Sequence, residues 1–323
     1  MSRRRRLGIL ALAALAGLLL AYLAIGWCRP QWLLEAEFAR QRWQAGASES
    51  SLVAAGHRWS LLGVEARARP AADAPLTVLI HGFTGSKENW LPILPALAAH
   101  GEIVAPDLPG WGGSQRQPDA DYGFVAQAER LADFLRQLGA EQRPVWLVGH
   151  SMGGGIVALL AARHPQLVDR LVLLDAAGSV FDENEFARLV LAGGHPFEVT
   201  DRASLHRQLA LVFDDVPWLP WPFDRAVVER RRLDGDFERQ VLDRIGRSDE
   251  ALRPSVEAQA ITAPTLLLWC RNDRIIDPSA ARYYAEAIPD TRQVLLDDCN
   301  HMPMVEQPDA TVAALRAFFT ERS

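Results

Sequence analysis

The chain has 323 residues, 49% of them hydrophobic, enough for one large core with an insertion or for two domains. Its formal net charge of −6 and pI near 5.8 argue against nucleic acid as a partner. Three cysteines, at 28, 270 and 299, are too few and odd in number for a disulfide framework.

Residues 3–6 are four arginines, and without them the rest of the chain carries −10 (−6 minus 4). Behind them LGILALAALAGLLLAYLAIGW, residues 7–27, holds no charge. As a helix this run spans about 31 Å, the thickness of a bilayer core. A cleaved secretory signal shares the basic start and apolar middle. The run is long for a signal, however, and Trp27 fits poorly at a cleavage point, so the expectation is an uncleaved anchor over residues 1–28. In both readings the arginines stay cytoplasmic and the body lies on the other side. For a bacterium that means a single-pass inner-membrane protein with a periplasmic body, or a secreted one if the signal is cut.

Residues 29–56 follow as a juxtamembrane segment, with PQWLLEAEFARQRWQA (30–45) reading as an amphipathic helix. From residue 57 apolar strand runs alternate with helical patterns. Strands are expected over 57–62, 76–80, 103–105, 145–148, 170–174, 265–269 and 293–296. Helices are expected over 88–99, 122–138, 156–162, 279–287 and 309–319. This alternation predicts a mostly parallel sheet covered on both faces, an α/β fold. Residues 178–260 break it: they hold no apolar strand run and are rich in Arg, Asp and Glu. An unstructured loop of that length is implausible, so they are expected to form a helical cap over the catalytic edge of the sheet. The core then comprises 57–177 and 261–323.

At VWLVGHSMGGGIVALL, residues 145–160, a buried strand turns directly into a helix. Gly149 and Gly153 remove the Cβ atoms that would collide in so sharp a turn. Ser151 at its apex projects a hydroxyl from the carboxyl edge of the sheet, before the N–H groups and positive dipole end of a helix. This is the G-x-S-x-G nucleophile elbow. A serine hydroxyl needs a base. His301, a few residues beyond the last strand, opens on the same edge; His57, His100, His164, His195 and His206 have no supporting pattern, and His150 is expected to point away. The base needs a carboxylate behind it. Asp273, after the strand TLLLW, is favoured over Asp175 and over Asp277, which is expected to cap a helix. His81-Gly82-Phe83-Thr84-Gly85 follows another strand, and the N–H groups of Phe83 and Met152 are expected to form an oxyanion hole. His81 is expected to brace that loop.

The order Ser151, Asp273, His301, with an HG loop upstream, resembles the α/β-hydrolase superfamily over about residues 57–320. HGFTGSKENW with GHSMGG is similar to bacterial serine lipases and esterases and to membrane-anchored monoacylglycerol lipases. Asp107-Leu108-Pro109-Gly110-Trp111-Gly112 resembles the family's D-x-P-G-x-G loop. The resemblance implies a cofactor-free, metal-free serine carboxylic-ester hydrolase working through an acyl-enzyme on a lipid or other acyl ester. Trp90, Trp111, Trp218 and Trp221 are expected to bind the acyl group. The same triad also serves C–C hydrolases of ring-cleavage products, and the fold also occurs in non-catalytic binding proteins. Cys270 stands where family members often carry glycine. It flanks the acid loop and Cys299 the histidine loop; a disulfide between them in a periplasmic body is one alternative, and two buried free thiols are the expectation.

Overall fold

The computed structural model describes residues 3–64, 74–98 and 101–321. Eight strands form one sheet: β1 (Ser48–Ala54), β2 (His57–Val64), β3 (Leu76–Ile80), β4 (Glu102–Pro106), β5 (Val145–His150), β6 (Arg170–Leu174), β7 (Thr265–Cys270) and β8 (Thr291–Leu296). Their spatial order is β1-β2-β4-β3-β5-β6-β7-β8. The β1–β2 and β2–β4 pairs are antiparallel and all other pairs are parallel. The central strands β3, β5, β6 and β7 are apolar and almost wholly buried, as a sheet covered on both faces requires.

Strand β1 has no counterpart in the sequence reading. Its SESSLVA is polar and mostly exposed, an edge strand that the pairing with β2 specifies and that no apolar run announces. The other correction concerns the helix expected over 88–99. There the chain forms a 3₁₀ turn at Lys87–Trp90 and a single turn, α3, at Leu94–Leu97. Pro92 and Pro95 remove the N–H groups a continuous helix would need. Residue 99 and His100 lie outside the described residues.

Two helices precede the sheet: α1 (Arg3–Cys28), apolar and long enough to cross a bilayer, and α2 (Pro30–Ala45). The sheet is flanked by α4 (Phe124–Gln137), α5 (Met152–Arg163), α10 (Ser279–Ala287), the short α11 (Pro303–Glu306) and α12 (Pro308–Thr320). Between β6 and β7 the chain forms α6 (Glu185–Leu191), α7 (Arg202–Val212), α8 (Phe223–Arg247) and α9 (Arg253–Glu257). Residues of α6, α7 and α8 wall the space above Ser151, so this segment lies over the carboxyl edge of the sheet. Asn184 and Asp201 open α6 and α7 by accepting the N–H of Ala187 and Ser204.

Candidate active site

Ser151 joins β5 to α5 with φ +52° and ψ −120°, a conformation that L residues rarely adopt. Hydrogen bonds to the neighbouring strand hold it there. The Ser151 N–H donates to Leu174 O at 2.9 Å, and the Ala177 N–H donates to Ser151 O at 2.9 Å. Gly153 is dictated by space: a Cβ there would stand 2.4 Å from His81 O and 2.5 Å from Ile80 O. Gly82 is dictated likewise, because its added Cβ would meet Ser151 Cβ and His150 Nδ1, each at 2.9 Å. The loop after β3 therefore packs directly on the elbow. Phe83, next in that loop, lines the same cavities as Ser151, while Met152 opens α5, where an N–H has no intrahelical acceptor.

The structure brings Ser151, His301 and Asp273 together from three loops on one edge of the sheet. Between His301 Nε2 and Ser151 Oγ the distance is 2.9 Å, and between His301 Nδ1 and Asp273 Oδ2 it is 2.8 Å. Asp273 Oδ1 accepts the N–H groups of Ile275 at 2.7 Å and Ile276 at 3.0 Å. All three side chains are buried. Burial pushes the His301 imidazole down to about 3, so it is neutral and able to accept a proton at neutral pH. Asp277 accepts the Ser279 N–H at the start of α10, in line with its expected capping role. Asp175 does not touch His301; its Oδ1 accepts the Cys270 N–H at 2.8 Å.

His150 does not point away from the site. Its Nε2–H donates to the carbonyl of His301 at 2.7 Å, and the two rings lie 4.9 Å apart. Because a carbonyl can only accept, this bond fixes the neutral Nε2–H tautomer; burial, aided by His301, holds His150 well below its usual value. His81 braces the loop as expected: its Nδ1–H donates to Gly82 O at 2.8 Å and its Nε2 accepts the Leu108 N–H at 3.0 Å. Leu108 belongs to the Asp107 loop, which is itself tied down by a buried ion pair, Lys87 Nζ to Asp107 Oδ2 at 2.9 Å. Glu306, which the sequence reading passed over, braces the histidine loop by accepting the N–H groups of Asn300 and Met302 on either side of His301. Its one signal is its place in the first turn behind Pro303, where a carboxylate suits a helix start.

Cys270 and Cys299 are not free thiols. They form a disulfide that links the strand end before Asp273 to the loop before His301. Their Cα atoms, 5.4 Å apart, lie at the ordinary bridging distance. The sequence places each cysteine beside its loop, and only the pairing of β7 with β8 shows that the loops are neighbours.

Two cavities meet at Ser151. A chamber of about 460 Å³ is walled by apolar side chains, among them Phe186, Val190, Phe197, Leu242 and Ile245. A more polar cleft of about 540 Å³ includes Trp111, Arg116, Arg230, Asp234 and His301, with Leu34 and Phe38 of α2 also lining it. Of the four tryptophans expected to bind substrate, only Trp111 lines this space. Trp90 is 0% exposed and belongs to the core beneath the sheet edge. Trp218 is 85% exposed, and Trp221 packs against α1, with its ring 5.9 Å from that of Tyr22. The apolar wall comes instead from single residues spaced along α6 and α8, whose sequence shows no aromatic cluster.

A family model for the α/β-hydrolase fold matches residues 75–308, which contain Ser151, Asp273, His301 and the loop of Phe83. The chain belongs to the α/β-hydrolase family. Among the relatives of this α/β hydrolase, Lipase 1 of Psychrobacter immobilis is 31% identical over 251 residues, covering 76% of this chain and 77% of its own. The monoacylglycerol lipase ABHD6 of Homo sapiens is 26% identical over 266 residues, 78% of this chain and 77% of its own. Among solved structures, a membrane phospholipase A described as a bacterial virulence factor is 33% identical and covers 98% of both chains with a TM-score of 0.83. That match takes in the N-terminal helices as well as the catalytic body.

Proposed function

We propose that this α/β hydrolase is a serine ester hydrolase that cleaves acyl esters of lipids at a membrane surface, through an acyl-enzyme. The observation that carries the proposal is the placement of His301 between Ser151 and Asp273, where the apolar chamber meets the polar cleft. Neutral His301 takes the Ser151 proton as the hydroxyl attacks the ester carbonyl, and Asp273 holds the imidazolium that results. The N–H groups of Phe83 and Met152 receive the oxyanion. His301 then protonates the leaving alcohol, and water activated by the same histidine releases the acid.

The apolar chamber suits an acyl chain and the polar cleft suits the alcohol portion. The names of the relatives, two lipases and a phospholipase, support glyceride or phospholipid esters over ring-cleavage products. Retention of α1 as an anchor is supported by its contacts with the segment over the site. A Cβ on Gly26 would stand 2.6 Å from the Trp221 ring and Arg225 lies over the Trp27 ring at 4.7 Å; in α2, just beyond, Gln31 donates to Ala226 O at 2.6 Å. Leu34 and Phe38 of α2, the helix that follows α1, also line the cleft, which supports a cleft that opens near the bilayer. The test is hydrolysis of a p-nitrophenyl ester series from C2 to C16, and of vesicle phospholipid, by the full chain and by Ser151→Ala. Activity that disappears in the variant upholds the proposal. A folded parent inactive on every ester overturns it.

A further inference from the structure

Asp175 ends β6, one residue beyond the carbonyl that receives the Ser151 N–H, and it is fully buried. Its backbone is fixed at φ +45° with its N–H on Leu268 O at 3.0 Å, so the side chain has little freedom. One carboxyl oxygen, Oδ1, accepts the Cys270 N–H. The other, Oδ2, is buried with no donor to accept from. What the carboxyl group does meet is a second carboxyl group, that of Asp273. A buried oxygen without a donor is costly, and two buried carboxylates in contact cannot both stay ionised. Both problems vanish if one of the two acids keeps its proton and donates it to the other.

The geometry decides which. Asp273 already receives three donors: Ile275 N–H, Ile276 N–H and His301 Nδ1–H. Asp175 receives one. Donors stabilise the charged form, so the charge belongs on Asp273 and the proton on Asp175. We infer that Asp175 is a positioning residue: its carboxylic acid donates a hydrogen bond to the Asp273 carboxylate and so keeps that group ionised and oriented behind His301. Burial first, then the carboxylates of Asp273 and Glu306, hold Asp175 well above the usual carboxylate range. Burial also raises Asp273, with Asp277 adding to it, while the N–H groups of Ile275 and Ile276 and the side chain of Asp175 draw it back; those donors are what set Asp273 apart from Asp175. The inference rests on the proposed roles of Ser151, His301 and Asp273, and it extends them by a fourth residue that touches neither substrate nor base.

Two substitutions in the full chain test it. In Asp175→Asn the amide oxygen can still accept from Cys270 and the amide N–H can still donate to Asp273. In Asp175→Leu the branched outline stays, with bulkier methyl groups in place of the oxygens, but the donor is lost. The expected results are three. The infrared difference spectrum of wild type against Asp175→Asn shows the C=O band of a protonated carboxylic acid at neutral pH. The Asn variant keeps kcat within about threefold and its acid limb unmoved. The Leu variant loses roughly tenfold or more in kcat, the scale of one lost buried hydrogen bond, with KM little changed. Its acid limb moves to higher pH, because an Asp273 stripped of its donor attracts the imidazolium more strongly. Absence of the protonated-acid band overturns the inference. So does an Asn variant whose acid limb moves to lower pH, as removal of a full negative charge near His301 would require. If the Leu variant does not fold, the Asn variant and the spectrum still decide. Fluorophosphonate labelling of Ser151 gives the same pH profile should the ester substrates be wrong. Failure to label at all would overturn the proposed nucleophile while leaving the infrared result to speak for Asp175.

Discussion

His301 Nε2 stands 2.9 Å from Ser151 Oγ, across 150 residues of chain and two intervening strands of the sheet. Strands lie about 4.8 Å apart, so the loop after β8 must lean over the ends of β6 and β7 to reach the elbow. Four contacts hold it there. His150 donates to the His301 carbonyl, the His301 N–H donates to Val212 O, Glu306 accepts on both sides, and the disulfide pins Cys299 to the end of β7. His301 is thus placed by the surrounding carboxyl edge rather than by its own short loop.

Removal of members of this unit should be strongly non-additive. Ser151→Ala and His301→Ala are each expected to lower kcat by about 10⁴ or more, and the double variant by little beyond that, since either loss disables the same step. Asp273→Asn should cost less than either but still several hundredfold or more. Steady-state kinetics on one ester, paired with fluorophosphonate labelling, checks the series. Full activity in Ser151→Ala would remove the assignment.

The pH profile follows from burial. In the proposed mechanism His301 acts as the base, which requires it to be neutral, and it is neutral above its pKa. Burial pushes that pKa down, to about 3, from an ordinary value near 6.5. The acid limb of kcat/KM is therefore expected well below pH 6, and activity at pH 5 should remain near its plateau. A limb at 6.5 or above would show that the Asp273 carboxylate outweighs desolvation at this ring.

Much of this was legible in the chain because the motifs sit where strands end. The apolar runs at 145–148, 170–174 and 265–269 set three parallel strands, and the residues just beyond them, Ser151, Asp175 and Asp273, necessarily share an edge. What stayed hidden depends on contacts between distant segments. His150 turns toward His301 only because the β8 loop leans over it. The polar β1 is specified by its partner, not by its own pattern. The tryptophans drew attention by type, yet Trp90 fills the core and Trp221 meets α1, while the chamber is walled by residues such as Val190 and Leu242 that no local pattern marks.

The disulfide should serve stability and the site together. It closes a sequence separation of 29 residues, for which the chain-entropy estimate is about 3–4 kcal/mol. Cys270→Ser with Cys299→Ser, or reduction of the wild type, is expected to lower Tm by several degrees. It should also lower kcat more than it raises KM, because the bridge joins the acid and histidine loops. Differential scanning calorimetry and kinetics with and without reductant check this; an unchanged kcat would leave the bridge with stability alone.

Chain-length preference should be set by the apolar chamber. Val190 on α6 and Leu242 on α8 both line it, and Gly246 packs within about a van der Waals contact of Val190, a Cβ there coming 3.1 Å from Val190 Cγ1. Val190→Phe places a ring inside the space an acyl chain would fill. Each methylene that can no longer be buried forfeits about 0.8 kcal/mol, close to fourfold in kcat/KM. The optimum in a C2–C16 ester series is thus expected to move to shorter chains, with acetate and butyrate esters turned over as in the parent. Loss of activity on all lengths alike, in a variant that keeps the parent's Tm, would mean that the acyl chain lies in the polar cleft and that the two cavities exchange roles.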